Sequence, residues 1–329
     1  MLRAAAATPW IAGSLAVALA LGVAGPPTGA ARRRHLHVAP LTGLVETPAA
    51  ARRPALTVKI DNTPAAHPQF GINDADVVYE EIVEGGITRL AAVFQSRLPG
   101  VIGPVRSVRR TDRLIVSPLG GLFAFSGGAA YALNSIATAP AQLFDEASAG
   151  SAMFRTPLRA PPHNLLLDPT RLLAEARPAR APQPLFTYVA AGSPPHGAPV
   201  GSFSVNFPAG YAVSYTWDAA HRAWDRSIFG APDITAAGVR VAPTNVVVIQ
   251  VTYIGGVGAL GAEADLLGHG PALVFSDGRL QRGGWFRSRL LHPMALRDAS
   301  GRVIALRPGS TWIELEAPGQ TVSVTAPGH

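Results

Sequence analysis

Residues 75–95 read ADVVYEEIVEGGITRLAAVFQ, two runs rich in β-branched and aromatic residues on either side of Glu84-Gly85-Gly86. Such runs are typical of strands, and a Gly-Gly pair readily takes the positive φ of a tight turn. The stretch therefore predicts a β-hairpin with strands over 75–83 and 87–95. A two-residue turn at Gly85-Gly86 would place Glu80, Glu84 and Arg89 on one face of the sheet.

This charged face has two interpretations, which the sequence leaves open. In the first, Arg89 lies diagonal to Glu80 and Glu84, within reach of its long side chain, and is held there to meet a ligand. In the second, the face is solvated, and its surface ion pairs contribute about 0 to 1 kcal/mol each.

Strand and helix signals alternate outward from the hairpin and predict a mixed α/β, or α+β, N-terminal domain over 54–177. Further strands are expected over 56–61 and 121–126, and helices over 107–116, 129–136, 141–147 and 168–176. Closely spaced prolines then predict a linker over 178–198. Beyond it, strand signals separated by turn residues predict a smaller, mainly β C-terminal domain over 199–329.

The N-terminus has the layout of an export signal over 1–30, with Arg3 before an apolar segment at 10–23. An uncleaved anchor over 4–25 is the alternative, because that segment is close to the length that spans a bilayer. Both alternatives place the rest of the chain outside the cytoplasm. Residues 31–53 are expected to form a flexible tether.

The chain has 329 residues, a net charge of +7 and no cysteine, which excludes a disulfide scaffold, a thiol nucleophile and a lipid-modified N-terminal cysteine. Residues 1–53 hold six arginines against one glutamate, so the remaining residues carry 22 basic and 20 acidic groups (28 − 6 and 21 − 1). Nucleic-acid binding is therefore not expected. Phosphate-binding loops and metal-ligand spacings are absent from the sequence, and we expect no cofactor and no metal.

Residues 103–113 read GPVRSVRRTDR, with Ser107 as a predicted helix N-cap. Arginines in the first turns of a helix oppose its dipole, so Arg106 and Arg109 indicate an anionic ligand. The alternative is that these arginines pair with Glu80, Glu84 or Asp76.

Pro161-Pro162-His163-Asn164 places an imidazole and an amide on a proline-stiffened loop. His163 could transfer protons if Glu80 or Glu84 lay within hydrogen-bond reach, whereas a lone histidine is usually structural. The candidate catalytic groups are therefore His163, Glu80 and Glu84. The predicted ligand-binding residues are Asp61, Asn62, Glu80, Glu84, Arg89, Arg106, Arg109, His163 and Asn164.

Several motifs in order resemble the YerB-like lipoprotein family, from about residue 40 to the end. They are PLTGL at 40–44, IDN at 60–62, VEGGITR at 83–89, GPVRSVR at 103–109, PHN at 162–164 and STWI at 310–313. The resemblance implies an N-terminal α/β domain, a C-terminal β domain and a place on the outer face of the membrane. It implies no catalytic residues, because the family is a domain of unknown function. This chain departs from the family pattern in lacking cysteine, in having His67 where arginine is usual, and in having Ala231-Pro232 where a histidine is common.

Three functions follow from these observations. The first is an exported envelope protein that binds an anionic or cell-wall-derived ligand through the arginine, glutamate and histidine residues. The second is a hydrolase or transferase acting on an envelope glycopolymer or a lipid-linked phosphate. The third is a structural or partner-binding envelope module that uses a sheet edge or exposed aromatic residues such as Trp217, Trp224 and Trp285; large aromatics in strands otherwise pack in the core.

Overall fold

The computed structural model describes residues 37–190 and 192–328. The predicted signal or anchor over 1–30 lies outside these residues, as do residues 31–36 of the predicted tether. Within the described ranges, no helix combines the length and the apolar content needed to cross a bilayer.

Short helices and many strands make up the described residues. The helices are α1 Pro48–Arg52, α2 Thr111–Val116, α3 Ala130–Ile136 and α4 Pro169–Glu175. The strands are β1 His37–Val38, β2 Val45–Glu46, β3 Leu56–Asp61, β4 Val77–Ile82, β5 Thr88–Phe94, β6 Leu122–Ala124, β7 Gln142–Phe144, β8 Met153–Arg155, β9 Leu165–Leu167, β10 Ala198–Pro199, β11 Ser202–Asn206, β12 Ala212–Asp218, β13 Ala223–Ile228, β14 Ala231–Pro232, β15 Asn245–Gln250, β16 Tyr253–Ile254, β17 Glu263–Ala264, β18 Gly268–Ser276, β19 Arg279–Arg287, β20 Ala295–Arg297, β21 Thr311–Glu316 and β22 Val322–Thr325.

One large sheet organises the molecule, in the order β10-β19-β18-β15-β21-β4-β5-β3-β6-β7, with β20 added beside β19. The predicted hairpin, β4 with β5, lies inside this sheet, and β21 from the C-terminal part pairs in parallel with β4. Strands from both sides of the predicted linker thus share one sheet. The boundary at 178–198 stays a prediction.

The N-terminal part contributes mixed sheet and few helices, and the C-terminal part is rich in β-strands. The predicted α/β class gave the N-terminal part too much helix. Residues 142–144 form strand β7, parallel to β6, where a helix over 141–147 was expected. A short apolar run is compatible with either structure, and pairing with β6 decides it here.

A second sheet, in the order β14-β13-β12-β11-β22, packs on the large one. Its contact is aromatic: the rings of Phe203 in β11 and Phe275 in β18 stack with centroids 3.6 Å apart, and Trp224 meets both edge-on. Trp224 and Trp285 are buried, as expected of aromatics in strands, so neither offers an exposed surface to a partner. Trp217 is partly buried against the same core.

Residues 37–53 belong to the predicted flexible tether, but they form regular secondary structure. Strand β1 pairs with β2, and α1 follows with the hydroxyl of Thr47 accepting a hydrogen bond from Ala50 N. Leu41 is fully buried in the main core, and the hydroxyl of Tyr188 donates to its carbonyl oxygen. Burial of Leu41 explains why these residues pack as part of the folded body.

The register of the hairpin also differs from the prediction. A three-residue turn, Glu84–Gly86, connects the strands, and Val83 N donates to Ile87 O at 2.8 Å. Glu81 therefore lies opposite Arg89, and Glu80 lies opposite Leu90. Because side chains alternate along a strand, this change of one residue places Glu80 on the face opposite to Arg89.

The face that carries Glu80 is covered by the second sheet, and a buried ion network fills the contact. Arg226, in β13, donates from Nη2 to Glu80 Oε2 at 2.6 Å, and from Nη1 to Asp233. Its Nε donates to the hydroxyl of Tyr215 at 3.2 Å, and that hydroxyl bonds to Glu314, the neighbour of Glu80 in the sheet. Burial and the charge of Glu80 raise the pKa of Glu314 well above its usual range. The network thus depends on one guanidinium.

Arg226→Met is expected to lower the free energy of unfolding by roughly 3–5 kcal/mol, because it leaves buried carboxylates without their cation. Urea unfolding followed by tryptophan fluorescence measures the change. The matched control is Arg302→Met, which removes an exposed arginine paired with Asp298 and should change the value by less than about 1 kcal/mol. Equal effects of the two substitutions would contradict the structural role of Arg226.

Candidate functional site

The other face of the hairpin carries a cluster of charges at the end of β3. Asp61 is fully buried there, directly opposite Arg89 of β5. Its Oδ2 lies 2.7 Å from His163 Nδ1 and 3.1 Å from Arg106 Nε, and its Oδ1 accepts a hydrogen bond from Thr63 N. Two cationic or polar side chains from distant parts of the sequence therefore meet at one carboxylate oxygen.

A second carboxylate holds the neighbouring arginine. Arg109 donates from Nε to Glu84 Oε2 at 2.7 Å, and the hydroxyl of Tyr131 donates to Glu84 Oε1 at 3.3 Å. The guanidinium groups of Arg109 and Arg89 both donate to the carbonyl oxygen of Ser107, at 3.2 and 3.3 Å. Two positive charges are thus brought to the same oxygen atom.

Arg89 has the least favourable electrostatic environment in this cluster. Burial, together with repulsion from Arg109 and Arg106, lowers its pKa to about 10, and the negative charges of Asp61 and Glu84 only partly oppose this. Counted alone, these three guanidinium groups and two carboxylates leave one positive charge in excess, and the buried group of Lys59, Glu81 and Asp112 below them adds one negative charge. An anion placed among the guanidinium groups would relieve their mutual repulsion.

Two nitrogens in the cluster also lack a hydrogen-bond acceptor. Arg89 is only 6% exposed, and its buried Nε has no partner. Arg106 Nε forms an ion pair with Asp61 Oδ2 but lacks the geometry of a hydrogen bond. A buried donor without an acceptor costs about 1–3 kcal/mol. We call this group the arginine site and define it as Asp61, Glu84, Arg89, Arg106, Arg109 and His163.

The structure does not bring every predicted site residue into the arginine site. Asn62 and Glu80 are buried on the opposite face, where Asn62 Nδ2 donates to Glu80 Oε1 at 2.9 Å. Asn164 bonds within its own loop, accepting from Arg155 and donating to Thr156 O. Glu80 is therefore unavailable to His163.

His163 has Asp61 as its partner, whereas the sequence offered Glu80 and Glu84 as candidate partners. Asp61 had been predicted only as a ligand-binding residue, and Thr63 and Tyr131 were not predicted at all. Asp61 and His163 are 102 positions apart in the sequence. No spacing of residues predicts a contact over such a separation. Ligand binding and catalysis by the predicted residues stay predictions.

The predicted helix over 107–116 begins only at Thr111, and Ser107 does not cap it. Arg106 and Arg109 therefore precede the helix, so the predicted placement of these two arginines in its first turns is wrong. Instead, Asp112 in the first turn accepts a hydrogen bond from Arg109 N at 2.6 Å and from Lys59 Nζ at 2.8 Å. The buried carboxylate of Asp112 thus holds the backbone of Arg109 just before the helix.

Lys59, Asp112 and Glu81 form a buried ion triad beneath the arginine site. Burial raises the pKa of Asp112 to about 6, with Glu81 adding to the shift and Lys59 opposing it. Among residues 37–190 and 192–328, no group of three histidine, aspartate or glutamate side chains is placed to hold a metal ion.

Known proteins match this chain over most of its length. The "Protein of unknown function (DUF3048) N-terminal domain" matches residues 41–181, and the C-terminal domain of the same family matches residues 203–313. A relative named "Putative lipoprotein YerB", from Bacillus subtilis (strain 168), is 28% identical over 293 residues, which cover 84% of this chain and 85% of the relative. A crystal structure of YerB from Bacillus subtilis has a TM-score of 0.75 at 24% identity, covering 87% of this chain and 99% of that chain, and shows the shared fold.

These matches define a class of proteins. In this class, an N-terminal part with a mixed sheet and few helices is followed by a β-rich C-terminal part. The chain belongs to the DUF3048 family, through both its N-terminal and its C-terminal domains. The resemblance to YerB-like lipoproteins is confirmed.

A double-mutant cycle tests the pairing in the arginine site. Asp61→Asn is expected to lower the free energy of unfolding, because Arg106 and Arg89 lose a buried counter-charge. Arg106→Gln in that background should restore part of the loss, giving a coupling of about 0.5–3 kcal/mol by urea unfolding.

The exposed pair Asp74 and Arg97, with Nε and Oδ1 3.9 Å apart, serves as the control cycle. Its coupling should stay below about 1 kcal/mol. Additive effects of Asp61→Asn and Arg106→Gln would show that the two side chains do not interact.

Proposed function

We propose that this protein is exported to the cell envelope and binds an anionic, phosphate-bearing or cell-wall-derived ligand at the arginine site. The observation that carries the proposal is the convergence of three guanidinium groups: Arg89 and Arg109 donate to the same carbonyl oxygen of Ser107, and Arg106 lies 3.1 Å from Asp61 beside them. Export is supported by the signal layout of residues 1–30 and by the name of the relative, which calls that protein a lipoprotein.

The arginine site is partly open to solvent, which a binding site requires. The side chains of Arg106, Arg109 and His163 are 18%, 14% and 22% exposed. Arg89 and Asp61 are buried behind them. A bound anion would therefore touch fixed guanidinium groups whose positions the buried residues already hold, and little side-chain entropy would be lost on binding.

Binding is tested by thermal unfolding of the purified protein in sodium phosphate and in sodium chloride of equal ionic strength. Phosphate should raise the melting temperature with dose, since a ligand at 100 times its Kd stabilises a protein by about 2.7 kcal/mol. The double variant Arg89→Gln, Arg106→Gln should lose this response, and the exposed Arg302→Gln should keep it. No response in the wild-type protein, or an equal response in the double variant, would overturn the proposal.

The contact of Asp61 with His163 favours a second candidate, a hydrolase acting on an envelope phosphate ester. A carboxylate on Nδ1 favours the tautomer whose Nε2 can accept a proton. Water oxygen would bond to phosphorus while Nε2 takes the proton of water. The ester P–O bond would break, and the leaving oxygen would receive that proton. The arginines would stabilise the charge on the phosphoryl oxygens.

This second candidate is tested with p-nitrophenyl phosphate and bis-p-nitrophenyl phosphate. Release of p-nitrophenol by the wild-type protein should fall at least about 100-fold in His163→Gln, the usual size of a general acid–base contribution. His163→Gln should keep the thermal response to phosphate, because the arginines are intact. Phosphate binding without turnover in the wild-type protein would support a binding protein and exclude hydrolysis of these esters.

A further inference from the structure

A second group of charged residues lies next to the arginine site and is separate from the residues that the proposed function uses. Glu263, in β17, pairs through Oε2 with Arg110 Nε at 3.2 Å and through Oε1 with Arg113 Nη2 at 3.8 Å. Arg287 is buried near Arg113, and its Nε has no hydrogen-bond partner. We call Arg110, Arg113, Glu263 and Arg287 the Glu263 cluster.

The Glu263 cluster and the arginine site meet in the sequence at Arg109 and Arg110. Arg109 and Arg110 are consecutive residues, and each binds a different carboxylate, Glu84 in the arginine site and Glu263 in the cluster. Tyr131 bonds to Glu84 and lies within electrostatic reach of both arginines. The ring of Tyr131 therefore borders the two groups of charges at their junction.

A glycine-rich loop between β16 and β17 borders the same junction. Gly258 O accepts a hydrogen bond from Gly85 N at 2.9 Å, which fixes the loop against the turn of the central hairpin. A Cβ added at Gly261 would come within 3.3 Å of the ring of Tyr131. The loop thus packs closely on both the turn and the tyrosine, and it connects the arginine site to Glu263.

The combined surface has a strong excess of positive charge. Six guanidinium groups, Arg89, Arg106, Arg109, Arg110, Arg113 and Arg287, stand against the three carboxylates of Asp61, Glu84 and Glu263. The difference is +3, and the buried triad beneath contributes −1 when both its carboxylates are ionised. Burial and, to a smaller extent, the charge of Arg113 lower the pKa of Arg287, and Tyr79 partly opposes this shift.

We propose that the arginine site and the Glu263 cluster form one groove for a linear ligand that carries at least two phosphate groups. The inference rests on the proposed function and extends it from a single anion to a polymer. Each end offers guanidinium forks that are partly exposed to solvent, Arg106 and Arg109 at one end and Arg110 and Arg113 at the other, and such forks suit the several acceptor oxygens of a phosphate. Two anionic groups on one chain would occupy both ends together.

Isothermal titration calorimetry of the full protein with phosphate, pyrophosphate and tripolyphosphate, at constant ionic strength, tests the groove. The Kd of tripolyphosphate should be at least about tenfold below that of phosphate, because the second contact is made by a tethered group. The variant Arg110→Gln, Arg113→Gln should raise the Kd of tripolyphosphate about tenfold and leave that of phosphate within about twofold.

Two further variants separate local contacts from net charge and from misfolding. Arg297→Gln, Arg302→Gln removes the same charge from exposed positions at and just after β20 and should leave every Kd within about twofold. Glu263→Gln frees Arg110 and Arg113 and should lower the Kd of tripolyphosphate, an effect that a damaged fold would not produce.

Equal Kd values for phosphate and tripolyphosphate would overturn the groove while leaving the proposed function intact. The groove would also be overturned if the variant Arg297→Gln, Arg302→Gln lost as much tripolyphosphate binding as the variant Arg110→Gln, Arg113→Gln. If the wild-type protein binds none of the three anions, both the groove and the proposed function fail.

Discussion

The buried guanidinium of Arg226 is the contact on which the arrangement of this molecule depends. It joins Glu80 of the central hairpin to Asp233, which directly follows β14 of the second sheet, and its Cζ lies 4.6 Å from the centroid of the Trp312 ring. Because it fixes Glu80 on the covered face, the alternation of the strand sends Glu81 and Arg89 to the other face. The arginine site thus exists on one side of the sheet because an ion network closes the other side.

The two faces use charge in different ways. On the covered face, Arg226 pairs with Glu80 and Asp233, and His67 adds a contact at 3.4 Å from Asp233. His67 occupies the position where the family pattern usually has arginine. Its smaller side chain still reaches the ion network of Arg226. On the open face, the positive charges outnumber the negative ones, and two nitrogens lack acceptors. The covered face is closed by the second sheet, whereas the side chains of Arg106, Arg109 and His163 on the other face are partly exposed to solvent.

Local signals in the sequence were sufficient for most elements of the central sheet. Leu56–Asp61 forms a strand with the bounds that its apolar run predicted, and Asp168 caps α4 by accepting from Arg171 N. The turn length of the hairpin was not predictable, because a Gly-Gly pair suits turns of two or three residues. The one additional residue in the turn determines which charged side chains lie on the same face of the sheet. Local sequence patterns also could not predict the contact of His163 with Asp61, because this contact depends on how the loop that carries His163 returns to the end of β3.

Lys59 is the only lysine in the sequence, and its amine is buried with Glu81 and Asp112. Every other basic side chain, histidine aside, is an arginine. Reagents that acylate amines therefore find no lysine on the surface of the folded protein, and only the α-amine of the chain remains for labelling or crosslinking. Acylation of Lys59 would require the sheet to open, so its reaction rate reports on how often the core is exposed to solvent.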